Sequence, residues 1–487
     1  MVDIDHHRYP IANRLSTHPT IHGVLLFGYL AIGQPILTDF VYSAETLDHM
    51  GSESMSAELS RETPRTKGMF LSHKHAVHIG LEQHPAIKKA KETERAAETV
   101  TKQTEARYYP ELTAYAIQTG GTIRPLSAFN IAGAQNKPTS YVESAGFRAD
   151  QLLYDFGQTR HRILAQEAGE EATEQEVQTQ KAQVIVRVQH AYIQCLRLKR
   201  LVEIAEETVR ERGVLRDQIA VLYKRQLKSK LDLDLMAIEL KSAEVQLVQA
   251  KNELRAAFAA LNHAMGIRGP EEYTLEDTLS ISPPSATLET LIQEALYDRP
   301  ELLGIAERIR QADETLNSVQ AMNYPTISAV AMSGVIHFSD APVNQYAGSH
   351  PGQTNLWWGA GAMVSIPLFT GFLIENRTAE TREQKYKVEQ KKADLSNRVA
   401  LEVTDAYLNL HTARQQVKVE EREVDSARSA LTLSKERYWM GLASIVEVTT
   451  ATTALLAASV RLSDARYGIL AGTIALGFAT GRGLLEY

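Results

Sequence analysis

The chain has 487 residues, a formal net charge of −7 and 44% hydrophobic residues. That length allows several domains, and the near-balanced charge excludes a strongly basic nucleic-acid binder, so no nucleic-acid partner is expected. No run of eighteen apolar residues occurs, so no transmembrane helix is expected and a membrane would have to be crossed by β-strands.

In chain order, Arg8 and Arg14 precede an apolar run at 23–33 (GVLLFGYLAIG) with the length of a signal-peptide core, and Val41-Tyr42-Ser43 offers a cleavage step. Residues 1–44 therefore read as a leader removed on export, with a short buried helix as the alternative, and 45–70 as a polar segment. His73, His75 and His78 follow. Their spacing does not put all three on one helix face and no carboxylate or cysteine completes a set, so they read as a solvated helix start rather than a metal site. A helical stretch is expected over 72–107, ended by Tyr109-Pro110, because a residue before proline is pushed out of the α region. Strands are expected at 110–123 and 141–153, separated by a loop carrying Pro125 and Pro138. A proline-free stretch from 139 to 269 then reads as a long helix hairpin, with one arm near 158–224 that would span about 100 Å at 1.5 Å per residue. Cys195, the single cysteine, falls mid-helix in an apolar register and reads as a small core residue.

The same order then recurs. His84-Pro85 pairs with Arg299-Pro300, Tyr109-Pro110 with Tyr324-Pro325, Leu153-Tyr154 with Leu368-Phe369 and Ala191-Tyr192 with Ala406-Tyr407. Tyr223 pairs with Tyr438, Ser229 with Ser444 and Gly266 with Gly481, every pair 215 residues apart. A tandem duplication is the reading, with copies at 71–267 and 287–483, a linker at 268–286 and a tail at 484–487. Copy two has its helical stretch at 288–322 and its strands at 325–338 and 356–368.

Each hairpin carries a heptad seam. In copy one Leu233, Met236, Leu240, Ala243, Leu247, Ala250, Leu254, Ala257 and Leu261 step by three and four; Val448, Ala451, Leu455, Ala458, Leu462, Ala465, Ile469, Gly472 and Leu476 do so in copy two. The preceding arm offers Ala191, Cys195, Leu198, Val202, Ala205 and Val209. Small residues at alternate seam positions let helices approach closely. Periodicity alone also suits an ordinary coiled-coil rod. Lysines and arginines alternate with glutamates, as on a solvated face.

Strand alternation is partial. Trp358, Ala360, Ala362, Val364 and Ile366 fall on one face; Thr113, Tyr115, Ile117 and Thr119 give a mixed one. Trp357, Trp358 and Tyr346 read either as a membrane girdle or as caps on a soluble sheet. Four strands cannot close a barrel, and lipid does not tolerate open edges, so a membrane reading implies a homo-oligomer.

Over about residues 70–483 the sequence resembles the TolC-type outer-membrane factor family. The likeness is carried by Glu82-Gln83-His84-Pro85, Arg299-Pro300-Glu301-Leu302, the Tyr-Pro helix ends, the strand-exit segments LYDFG (153–157) and LFTGF (368–372), and Tyr438-Trp439-Met440-Gly441-Leu442-Ala443-Ser444. The resemblance implies a mainly helical fold with β-structure. Long antiparallel helix hairpins would form a periplasmic α-barrel, and four strands per chain would enter a shared twelve-stranded β-barrel of a homotrimer. It also implies a passive exit duct in the outer-membrane lipid for efflux or type I secretion, docked by a periplasmic adaptor and an inner-membrane ABC or proton-driven transporter.

Two sites follow from it. The hairpin turns would contact the adaptor through Gln226, Leu227 and Ser229 in copy one and Gly441, Leu442, Ala443 and Ser444 in copy two. Gln226 replaces the expected glycine, which makes the first turn the less typical. The pore entrance would use Glu447, its copy-one equivalent Asp232 with Asp234 nearby, and Thr450, which stands where a second acidic residue is expected. All three carboxylates also fit solvated helix starts. No phosphate loop and no nucleophile–base constellation occurs, so neither catalysis, cofactor nor metal is expected. A soluble periplasmic coiled-coil scaffold or adaptor remains the alternative from another class.

Overall fold

The computed structural model describes residues 70–121, 140–269, 271–277, 286–339 and 354–482. The leader, nearly all of the polar segment, the strand-connecting loop tips with Tyr346, and the tail lie outside these residues.

The described chain runs β1 (Phe70–Leu71), α1 (His73–Gln83), α2 (Pro85–Glu105), β2 (Glu111–Gly121), β3 (Ser140–Tyr154), α3 (Gln158–Lys224) and α4 (Lys230–Met265). It continues with β4 (Thr274–Leu275), α5 (Leu288–Asp298), α6 (Pro300–Ala321), β5 (Thr326–Ser339), β6 (Thr354–Ser365), α7 (Leu373–Trp439) and α8 (Ile445–Ala479). The helices α3 and α7 are each 67 residues long, and both ends of one lie 215 residues from those of the other. The backbone repeats too. Left-handed φ occurs at Phe156, Gly157, Gln226 and Gly266, and again 215 residues on at Gly371, Phe372, Gly441 and Gly481.

The helical stretches expected to be continuous over 72–107 and 288–322 are each broken once. His84 and Arg299 are extended, with ψ 124° and 125°, because each precedes a proline. These breaks are junctions. Gly266, which ends α4, packs on the start of α2 so closely that a Cβ there would lie 2.8 Å from His84 Cα. Gly481 likewise sits against Asp298 and Arg299 at the start of α6. Thus α4 stacks end to end on α2, and α8 on α6, giving composite rods that run beside α3 and α7.

The α4 and α8 seams pack as their spacing implies. Met236, Leu240, Ala243, Ala250, Ala257 and Leu261 are buried, as are Val448, Ala451, Ala458, Ala465 and Leu476. The α3 register departs from expectation beyond Arg200. Val202, Ala205 and Val209 are only half-buried, whereas Ile204, Thr208, Arg212, Leu215 and Ile219 are buried. The helix meets α4 on one side and α8 on another, so one stripe cannot serve both. Nor are all the basic residues solvated. Arg212 is buried, 2.9 Å from a Glu239 carboxylate oxygen and donating to the Glu239 carbonyl; Arg299 is buried against Glu301 and Glu402. Near the tip Leu215, Ile219, Met236, Leu431, Tyr438, Ile445 and Val448 form one core that joins the two hairpins.

The α8 helix also qualifies the expectation of no membrane-spanning helix: it is long and apolar enough to cross a membrane by length and composition. Its alanines and threonines lower the charge density without making a long apolar run, so averages and runs disagree.

Around the junctions, β1 pairs with β4 in parallel, Leu71 opposite Leu275, a strap the sequence reading missed because two-residue strands have no period. Buried Tyr192 Oη lies 2.9 Å from the Leu71 carbonyl and 3.0 Å from that of Glu276, donating its one proton to either. Cys195 is buried beside it, and burial pushes its thiol up to about 12. The histidine trio splits. His75 is exposed and His78 pairs with Glu82, but His73 is buried, its ring edge-on to Tyr192 at 5.4 Å. It is not part of a solvated helix start, because β1 and α1 fold back over α3. Burial, with Lys74 adding, lowers His73 to about 4.

The unfolded chain therefore binds a proton at His73 that the folded chain refuses between about pH 6.5 and 4. Stability contributed by this group is fully present above pH 6.5 and is lost as pH falls toward 4. Thermal melts across that window are expected to show it, with a shallower pH slope in His73→Phe; an unchanged slope would remove His73 as the cause.

Candidate channel wall and entrance

The sheet order is β2-β3-β5-β6, antiparallel throughout, with β2 and β6 at its edges. Directly paired residues share a face. Ala114, Phe147, Ser333 and Trp358 lie side by side; the adjacent rows of that face are Ala116, Ala145, Val335, Leu356 and Leu112, Ala149, Ala331, Ala360. Leu356 and Trp358 are 77% and 80% exposed, so this apolar face has no cover among the described residues. It ends at a polar row, Gln118, Glu143, His337 and Thr354, with a Gln118–Glu143 bond of 2.9 Å and a His337–Thr354 bond of 3.1 Å. From that row to Val364, strands tilted as in barrels rise about 25 Å, the height of a lipid-facing band.

The opposite face is mixed, with Tyr115, Gly146, Gly334, Trp357 in one row and Thr113, Arg148, Met332, Gly359 in the next. Gly146 and Gly334 are required there, since a Cβ on either would lie 2.3 or 2.6 Å from a facing carbonyl oxygen. Trp357 and Trp358, expected to share one girdle, point to opposite faces because they are neighbours in a strand. A collar at the other end of the sheet was not anticipated. Tyr154 packs edge-on against Phe156 at 4.8 Å, Phe156 stacks on Tyr324 at 5.9 Å and Phe369 meets Phe372 at 5.7 Å. Its signal was present in the aromatic residues of the repeated Tyr-Pro, LYDFG and LFTGF segments.

At the far end of the hairpins the two turns have the same geometry. Gln226 adopts φ 62° where Gly441 adopts φ 79°. The next amide closes each turn: Leu227 N–H donates to Leu222 O at 2.9 Å, and Leu442 N–H to Arg437 O at 2.8 Å. The glutamine therefore does not change the shape of the first turn. Leu227 and Leu442 are both exposed, at 66% and 67%. Ser229 starts α4 with its hydroxyl accepting from Asp232 N–H at 3.2 Å; Ser444 starts α8 with its carbonyl accepting from Glu447 N–H at 3.1 Å. Ala443 is half-buried against the tip core.

The entrance candidates diverge. Asp232 is half-buried and accepts from Tyr438 Oη at 3.4 Å. Lys228, one turn before it, sits 3.7 Å over the Tyr438 ring and donates to the Tyr438 carbonyl at 3.0 Å. Copy one's turn is thereby clamped to the end of α7, and burial together with Asp232 pushes the Tyr438 phenol up to about 12. Glu447 instead lies exposed, 3.2 Å from Arg437 of its own chain. Thr450 is exposed and donates its hydroxyl to Val446 O at 2.8 Å. Asp234 is exposed. Neither Lys228 nor Arg437 was marked by the sequence pattern, since both sit among other charged residues.

Two long hairpins carrying a sheet with one apolar, uncovered face are the build of a channel-forming membrane protein. A family model for outer membrane efflux proteins matches residues 77–267 and 291–482. The chain is 22% identical over 368 residues to the outer membrane efflux protein BepC of Brucella suis biovar 1, covering 73% of this chain and 76% of that protein. It is 26% identical to the outer membrane protein TolC of Vibrio cholerae serotype O1, covering 73% and 80%. Among solved structures the outer-membrane channel OprN superposes with a TM-score of 0.71 at 18% identity, covering 85% of this chain and 90% of that one. The chain belongs to the outer membrane efflux protein family. It is an outer-membrane channel, the exit duct of a tripartite efflux or secretion system, reaching from the outer membrane into the periplasm.

The turns yield a direct test. Left-handed backbone costs a residue with a Cβ about 1 kcal/mol relative to glycine. Gln226→Gly is expected to stabilise the protein by up to that amount and Gly441→Gln, where nothing crowds a Cβ, to destabilise it similarly. Denaturant midpoints read both, and equal shifts of one sign would contradict the shared geometry.

Proposed function

We propose that the exit duct is a homotrimer whose entrance lies at the hairpin turns. The observation that carries this reading is the pair of sheet edges, β2 and β6, unpaired among the described residues, on a sheet with a lipid-ready face. Backbone groups at those edges need partners, and lipid supplies none. Pairing β6 of one chain with β2 of the next closes twelve strands around three copies. The α8 helix supports the same association, because only 22% of its most apolar window is buried within a single chain.

The turns would then form the periplasmic tip. Exposed Leu227 and Leu442, held on rigid loops by Ser229, Ala443 and Ser444, suit docking by a periplasmic adaptor. That adaptor would couple the duct to an inner-membrane ABC or proton-driven transporter. Three copies would bring Glu447, Asp232 and Thr450 around one axis. Glu447 would supply the accessible negative charge, tempered by Arg437, while Asp232 is engaged by Tyr438. In this reading the duct is passive and the energy is supplied by the inner-membrane transporter.

Planar-bilayer recordings test the entrance. Glu447→Ala is expected to raise conductance or reduce preference for cations. Arg437→Ala, which frees the carboxylate, is expected to increase that preference. Unchanged conductance and selectivity in both variants would remove Glu447 from the constriction.

A further inference from the structure

The cavity between α3, α4 and the C-terminal end of α8 has a volume of about 670 Å³ and an unusual lining. Gln183, Arg187, His190 and Gln194 of α3 and His263 of α4 form its polar part, and Phe478 of α8 closes one side. Small aliphatic side chains of both helices make the floor. No carboxylate lines it among the described residues, and no hydrogen bond or ion pair among them engages the side chains of Arg187, His190 or His263. Arg197, further along the same helix, does have an acidic partner in Asp464.

The second copy shows what is absent. At the positions equivalent to Arg187, His190 and His263 it has Glu402, Asp405 and Phe478. There the buried Arg299 pairs with Glu402, so a cation inside the wall meets a carboxylate at its surface. In copy one His84 takes the place of Arg299, and it is held below the usual histidine range by burial, then by Arg187 and His263. Arg187 therefore stands at the surface with no carboxylate among the described lining residues.

The cavity faces the inside of the proposed duct. Its α3 residues lie on a different side of that helix from Val184 and Val188, which pack against α1 through Gly80, and from Tyr192, which bonds the β1 strap. Twelve helices about 10 Å apart enclose a lumen roughly 28 Å across. Six helices of the α1 and α5 kind would fill that space, so they belong outside, and the opposite side of α3 looks inward.

We propose that this cavity binds amphipathic organic anions, an aromatic carboxylate or sulfonate being the simplest form, at a way-station on the duct's inner wall. Arg187 and the two imidazoles donate to the acid group, the amides of Gln183 and Gln194 add neutral donors, and Phe478 with the small-residue floor takes the apolar body. Three such sites, one per chain, alternate around the wall with three acidic ones. The proposal rests on the trimeric-duct reading for which surface the site faces, not for the chemistry of the site.

The test is equilibrium binding of 2-naphthalenesulfonate to the full-length protein in lipid nanodiscs, with 2-naphthylmethylammonium as the cationic control. The sulfonate is expected to bind saturably, one per chain, and the ammonium at least tenfold more weakly. Arg187→Glu and His263→Phe install the copy-two residues, and each is expected to weaken sulfonate binding about tenfold or more with trimer mass and melting temperature unchanged. Should one variant fold poorly, the other and Arg187→Gln carry the comparison. Equal binding of both probes, or sulfonate binding indifferent to these substitutions, overturns the proposal. Conductance recorded on the same preparation separates the two readings. A conducting trimer without anion binding sinks the site and leaves the duct; anion binding by a protein that neither trimerises nor conducts sinks the duct and leaves the site.

Discussion

Backbone amides at the edge of a sheet must be bonded, and hydrocarbon offers nothing to bond them. Much of this molecule follows from that constraint. Its four strands pair through β3 and β5, one from each copy, which leaves one bare edge per copy. One face of the sheet is mostly Ala, Leu, Val, Phe and Trp, and it stops at a polar row and an aromatic collar. Such a sheet is unsuited to water on one face and to lipid at its edges, and the proposed ring of three relieves both. The helices accept the same geometry: each copy supplies one long helix and one stacked pair, so the rods can repeat around an axis at even spacing.

Duplication supplies the even spacing, and divergence supplies the chemistry. Backbone conformation is the better preserved of the two. Gln226 keeps a left-handed turn without the glycine that makes it easy, and Phe and Gly exchange places across Phe156-Gly157 and Gly371-Phe372 while both residues stay left-handed. Charge has been rewritten instead. Lys228 clamps one turn where copy two has Ala443, and Arg187 stands where copy two has Glu402. A ring of six similar units built this way has three-fold rather than six-fold electrostatics.

The architecture was largely legible because a fixed offset does not depend on knowing any contact. The arm at 158–224 and the α4 and α8 seams follow from proline spacing and heptads, which are local. The breaks at Pro85 and Pro300 obey the same rule used for the Tyr-Pro ends, yet they were passed over. Their partners, Gly266 and Gly481, are far away in sequence, and a stacked junction has no local mark. The α3 register failed beyond Arg200 because a helix with two neighbours needs two stripes, and a single heptad template reads one. At the tip, the turn residues were placed by the family resemblance. That Asp232 is held by Tyr438, and Glu447 by Arg437, depends on side chains crossing between helices, which no spacing encodes.

The sheet's wiring also constrains how the molecule comes into being. Contacts within each helix hairpin are local, whereas the pairing of β3 with β5 joins segments separated by the whole first hairpin. Loop-closure entropy makes such a pairing late and slow, while hairpins form early. The rods are thus expected to be in place while both the apolar face and the strand edges are still open. For a protein released into an aqueous compartment that interval is hazardous, and in the proposed trimer it would end when copies meet. In that reading assembly and membrane entry are coupled by topology, because the sheet that would face lipid is also the sheet whose edges recruit the neighbouring copies.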